Sequence, residues 1–103
     1  MKLYAIMKEN TEIEDMDTLL LTFNRKQINE RFRKEEQKLK STENLILSYF
    51  ELDEKQIKQA FGLTQRELKG YQENYLSVLE DYVLNNGEYN EEKKVCGEKV
   101  AWK

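Results

Sequence analysis

Apolar residues occupy both parities of the opening segment, where Leu3, Ala5 and Met7 alternate with Tyr4, Ile6 and Lys8. A strand with apolar groups on both faces must bury both, so a short, largely buried strand is predicted. Glu9 to Asp17 carries Glu9, Glu12, Glu14, Asp15 and Asp17 with no basic residue and reads as an acidic loop. Thr18-Leu19-Leu20-Leu21-Thr22-Phe23 is an apolar run rich in Thr and Phe, which predicts a second strand. Asn24 suits a helix N-cap, because its side chain accepts a bond from a free helical N–H. The helix predicted from Arg25 to about Lys40 has a narrow apolar stripe of Ile28, Phe32 and Leu39, with Glu35 at the intervening turn.

Ser41-Thr42-Glu43-Asn44 interrupts this pattern, and Leu45 to Leu52 fits two periods. As a strand it sets Leu45, Leu47, Tyr49 and Glu51 against Ile46, Ser48, Phe50 and Leu52. As a helix it gathers Leu45, Ile46, Tyr49, Phe50 and Leu52 on one side. Length and aromatic content favour the strand. Asp53 caps a short helix to Phe61, and Gly62 ends it by taking a left-handed backbone. Thr64 caps the next helix, with Glu67 completing a capping box. This long amphipathic helix, at about 64–85, has the clearest period in the chain: Leu68, Tyr71, Tyr75, Leu76, Leu79, Tyr82 and Val83. Asn85-Asn86-Gly87 stops it. Val95-Cys96 and Val100-Ala101-Trp102 flank Gly97-Glu98-Lys99 and suit a terminal strand or hairpin. The order predicts an α+β fold, a small antiparallel sheet packed with two or three helices in one compact domain over 1–103.

The chain has no histidine and one cysteine, Cys96, so the commonest general base, the commonest metal ligand and any intramolecular disulfide are missing. Neither glycine-rich nucleotide motif occurs. Glu12, Glu14, Asp15 and Asp17 have the chemistry for a divalent cation, but their spacing is not an EF-hand loop, and a solvated acidic loop is the simpler reading. Cys96, near Lys93, Lys94 and Lys99, reads as an activated thiol or as a small apolar residue. No enzyme activity, cofactor or metal is expected. No run of about 18 apolar residues exists, and the start lacks the pattern of a signal peptide, so a cytoplasmic location is expected. The absence of Pro and the wealth of Lys, Glu, Asn, Leu and Tyr fit an AT-rich coding sequence, as in low-GC bacteria and their phages.

Asp53 to Tyr71 resembles the helix-turn-helix of bacterial regulators. Ile57, Phe61, Leu63 and Leu68 stand at its apolar positions and Gly62 at its turn. Lys58 stands where that pattern places a small residue, and Ala60 lies two positions on. The resemblance implies a DNA-binding transcriptional regulator whose second helix presents Thr64, Gln65, Arg66 and Lys69 to the major groove.

Net charge is −3, but it is segregated. Residues 9–17 are acidic. Arg25, Lys26, Arg31, Arg33, Lys34, Lys38 and Lys40 make the first helix basic, without aromatic residues interleaved among them, so stacking on single-stranded bases is not expected there. Glu80, Asp81, Glu91 and Glu92 form later acidic groups. Clustered carboxylates can occupy a nucleic-acid-binding groove on a partner protein. In size and composition the chain resembles small phage or mobile-element inhibitors of host defence enzymes, the anti-CRISPR class among them. That resemblance implies a protein partner, contacted through Glu12, Glu14, Asp15 and Asp17 or through Glu80, Asp81, Glu91 and Glu92. For a phage-encoded protein the location is the host-cell cytoplasm. The face of Tyr71, Tyr75, Leu79 and Tyr82 exceeds what a small domain covers, so self-association, as a homodimer, is also expected.

Overall fold

The structure, a computed structural model, describes residues 1–97. Its elements are β1 (Lys2–Asn10), β2 (Asp15–Thr22), α1 (Arg25–Gln37), β3 (Glu43–Glu51), α2 (Glu54–Phe61), α3 (Gln65–Gly70), α4 (Gln72–Asn86) and β4 (Asn90–Cys96). The strands form one antiparallel sheet in the order β2-β1-β3-β4. The fold is therefore α+β, as expected. Of the predicted terminal strand or hairpin, Val95-Cys96 belongs to β4, while Val100-Ala101-Trp102 lies outside the described residues.

Strand parity decides which helix covers which face. Leu3 and Ala5 of β1 join Leu21, Phe23, Phe50, Leu52, Ile57, Leu68, Leu79 and Val83 in one buried cluster, under α2, α3 and α4. Ile6 joins Leu45, Leu47, Ile28 and Phe32 in the other, under α1. Leu45 to Glu51 is strand, with Leu52 just past its end, because each parity meets an apolar partner: Leu45 and Leu47 face α1, while Phe50 and Leu52 face α2–α4.

The caps behave as local chemistry requires. Asn24 accepts from Gln27 N at 3.1 Å. Asp53 and Gln56 exchange bonds of 2.7 and 3.0 Å, and Thr64 and Glu67 exchange a pair of 3.2 Å. Gly62 ends α2 at φ 68°, where any other L-residue is strained.

Three segments differ from expectation. The acidic stretch is not all loop, since β1 runs to Asn10 and β2 begins at Asp15. Its pairing continues because β3 backs it across Glu9↔Asn44 and Asn10↔Glu43, and Asn44 Nδ2 donates to Glu9 Oε1 at 2.9 Å. Helix α1 stops at Gln37 instead of Lys40, its end tightened as Lys38 N and Leu39 N donate to the carbonyls of Glu35 and Glu36. The long helix is jointed at Tyr71. Gly70, a poor helix former, precedes the joint. Just after it, the Gln72 side chain accepts from Phe23 N at 3.1 Å and Thr22 Oγ1 at 3.3 Å, which pins the start of α4 to the β2–α1 junction.

Glu35 interrupts the apolar stripe of α1 and is buried. Arg31 Nε donates to it at 3.0 Å, and Lys8 Nζ lies 3.8 Å from its other oxygen. Burial pushes its carboxyl pKa up, but the hydrogen bond and charge of Arg31, with Lys38 and Lys8, outweigh burial and hold it below the usual range. A depressed carboxylate stabilises fully above its unfolded pKa, and that contribution is lost as pH falls through the folded value. Glu35→Gln is expected to lower stability near neutral pH by about 1–2 kcal/mol and to flatten the acid limb of the stability profile. Urea titrations between about pH 7 and pH 3 measure both.

Candidate functional site

The β1–β2 hairpin turns through Thr11–Glu14. Asn10 Oδ1 accepts from Glu12 N at 3.0 Å, and Asp15 Oδ1 accepts from Met16 N at 3.0 Å. Glu14 takes φ 52°, a left-handed backbone uncommon outside glycine. Thr11 donates through N and Oγ1 to Thr42 O at 2.8 and 2.9 Å, tying the turn to the α1–β3 connection. At this tip Ile13 is 68% and Met16 47% exposed. Around them Glu12, Glu14, Asp15 and Asp17 are all exposed and hold no ion pair among the described residues. Asp17 stands opposite Lys8, whose ammonium lies instead within 4.0 Å of Glu35 and Glu43.

From this tip a groove runs between β2 and α4. Its walls are Met16, Asp17, Thr18, Leu19, Leu20 and Leu21 on one side and Leu76 and Glu80 on the other. The fold thus brings Glu80 beside the hairpin acids, while Asp81 is exposed on the next position of α4. Glu80 also acts on Tyr89, whose phenol is pushed up to about 12 by burial first and by that carboxylate second. Leu79, by contrast, is fully buried in the core. Of the tyrosine stripe, Tyr75 and Tyr82 pack edge-on or tilted against Phe61 at 6.2 and 5.5 Å, and Tyr71 stays 54% exposed.

Glu91 and Glu92 lie on β4, the opposite edge of the sheet. Glu92 is the extra residue where the β3–β4 register shifts, between Leu47↔Lys93 and Ser48↔Glu91. Arg25 grips it through two bonds of 2.6 Å. Arg25's hydrogen bond holds the Glu92 carboxyl below the usual range, and the same bond raises the guanidinium. Glu92 is therefore spent inside the molecule, and the second group of acids read from the sequence is divided, with Glu80 beside the hairpin and Glu91 and Glu92 at the opposite edge.

The basic side is richer than the sequence shows. Lys2 sits over the Tyr49 ring at 4.5 Å, Arg25 over Tyr4 at 5.1 Å and Lys93 over Phe32 at 4.9 Å. Aromatic and basic groups do interleave here, supplied by different elements of the fold.

In the helix-turn-helix-like segment, Ile57 and Leu68 are fully buried against the sheet. Arg66 and Lys69 are exposed and Gln65 is half-buried. Helix α3 has 6 residues, under two turns, before the joint at Tyr71.

Sequence reading missed Ile13, Met16 and Leu76 as site residues. Ile13 and Met16 shared one signal, apolar residues set singly within a run of acids. No group of three or more potential metal ligands occurs among the described residues, and no described helix is long and apolar enough to cross a membrane. No family model, curated protein or solved structure matches this chain.

Proposed function

We propose that the protein is a non-enzymatic binding module that docks a cationic surface on a partner protein through the β1–β2 hairpin and the groove beside it. One observation carries this reading: Ile13 and Met16 stand exposed among Glu12, Glu14, Asp15 and Asp17, with Glu80 across the groove. Apolar anchors rimmed by charge make an interface in which burial supplies affinity and the rim supplies steering and specificity. A cationic surface of the complementary kind is the nucleic-acid-binding groove of a nuclease or related enzyme. The protein is accordingly an inhibitor of a nucleic-acid-processing enzyme, in the manner of phage or mobile-element proteins that disarm host defence.

Affinity capture from bacterial lysate, with wild type beside Ile13→Ser/Met16→Ser, tests this. Wild type is expected to retain a basic nucleic-acid enzyme that the variant loses by about tenfold or more. Addition of wild type, but not of the variant, is expected to slow that enzyme on its own substrate. Equal capture by the two would remove the hairpin from the account.

A second reading, DNA recognition, draws on the α2–Gly62–α3 hairpin, which leaves Arg66 and Lys69 exposed. In this reading duplex DNA binds at low salt and is released as salt rises. Arg66→Ala then removes about 1–3 kcal/mol of discrimination at one base pair. No binding of mixed-sequence duplex at low salt ends it.

A further inference from the structure

Strand β2 has β1 on one side and no strand on the other among the described residues. The opposite edge, β4, carries Glu91, Glu92, Lys93 and Lys94, the dense charge with which edges resist pairing. Asp15 to Thr22 contains no Lys, Arg or Pro. Successive strand side chains point to opposite faces. The β2–α4 groove nevertheless touches every residue from Met16 to Leu21. It therefore follows the open edge of the strand instead of lying over one face, and an open edge offers unpaired N–H and C=O groups.

We propose that this edge takes an extended, cationic segment of the partner protein as a fifth strand, laid between β2 and α4. The inference rests on the partner-binding reading above and specifies its form. Charge selects the occupant. In a second copy of this chain, paired edge to edge, the Asp15 and Asp17 carboxylates of the two strands would crowd together, and like charges across strands destabilise pairing. Nucleic acid is repelled by the same groups. Leu19 is the extra residue where the β1–β2 register shifts. The longer unbroken run is Asp15–Thr18, next to the hairpin acids, and the added strand pairs there. By the register, Met16 shares the face of Glu9, towards α4, while Asp15 and Asp17 share the face of Asn10 and Lys8. Side chains of the added strand on the α4 side meet Met16, Leu76 and Glu80, and those on the other side meet Asp15 and Asp17. Main-chain bonds supply affinity and the alternating side chains supply selectivity, as in other strand-addition modes.

The probe is a peptide of about ten residues alternating lysine and valine. One control carries glutamate for lysine, and the other carries a methyl group on every backbone nitrogen. Residue-resolved amide exchange of the full chain is the readout. The lysine–valine peptide is expected to bind and to slow alternate amides between Asp15 and Thr18 by about tenfold or more. Asp17→Lys/Glu80→Lys is expected to weaken it by about tenfold. Neither control is expected to bind. Equal binding of the methylated peptide, with β2 amides unprotected, overturns strand addition while leaving a charge-steered partner in place. Failure of the lysine–valine peptide to bind also overturns it, and the capture experiment then judges the wider reading independently.

Discussion

Replacing Glu12, Glu14, Asp15 and Asp17 together by lysine is expected to slow association with the captured partner by about two orders of magnitude at low salt. Dissociation is expected to change far less. All four carboxylates are exposed, and none joins an ion pair within the described residues. Their charge therefore projects into solvent from one hairpin of a molecule whose net charge is only −3. Reversal turns attraction at long range into repulsion. The screening length is about 8 Å at physiological salt, so the difference between variant and wild type is expected to shrink as salt rises. Stopped-flow association at two ionic strengths measures both effects, with circular dichroism to confirm folding. The cost to the fold is small, since among the described residues only Asp15 of the four accepts a hydrogen bond through its side chain, from Met16 N. An association rate equal to wild type at low salt would place the contact elsewhere. Ile13→Ala should show the converse, a faster dissociation at unchanged association, because it removes buried contact and no charge.

Leu79→Ala is expected to cost about 3 kcal/mol and to lower the melting temperature by roughly 15 °C. Leu79 is fully buried and shares its cluster with Leu3 and Ala5 of β1 and Leu68 of α3. On α4 Leu79 and Val83 are the side chains buried in the core, with Tyr75, Leu76 and Tyr82 packed around them, so Leu79 is central to the attachment of that helix to the sheet. Loss of one leaves a cavity that the sheet cannot close, because β1 and β3 are held from the other face by α1. Leu84, on the same helix but 74% exposed, is the control. Leu84→Ala is expected to stay within about 0.5 kcal/mol of wild type. Chemical denaturation of the two variants makes the comparison, and equal losses would show that α4 is not seated through Leu79. Because α4 forms one wall of the β2 groove, Leu79→Ala should also weaken the peptide bound there, whereas Leu84→Ala should not.

The sequence was most informative where the governing interaction is short in range. The N-caps at Asn24, Asp53 and Thr64 and the left-handed turn at Gly62 depend on neighbours three or four residues away, so all are readable from the chain. The double-faced alternation of Leu3 to Lys8 likewise foretold a strand buried on both sides. The limits of the acidic loop were not readable. Glu9 and Asn10 are strand because β3, far along the chain, backs them. The joint at Tyr71 depends on the hold of Gln72 on Phe23 and Thr22.

For the candidate site the division is similar. The carboxylates at Glu12, Glu14, Asp15 and Asp17 stood out as a run, because like charge with no basic residue among it marks a solvated segment. Glu80 and Glu92 look alike in sequence. Tertiary structure sets Glu80 on the groove beside Asp17 and locks Glu92 to Arg25. The sequence by itself determined where helices begin at Asn24, Asp53 and Thr64, the buried faces of β1 and the acidity of the hairpin, since these follow from local hydrogen bonding, side-chain periodicity and charge. Only the tertiary structure decided that β2 is an open edge, that α4 lies along it and which acids remain free, because strand order and ion pairing depend on residues that chain distance does not relate.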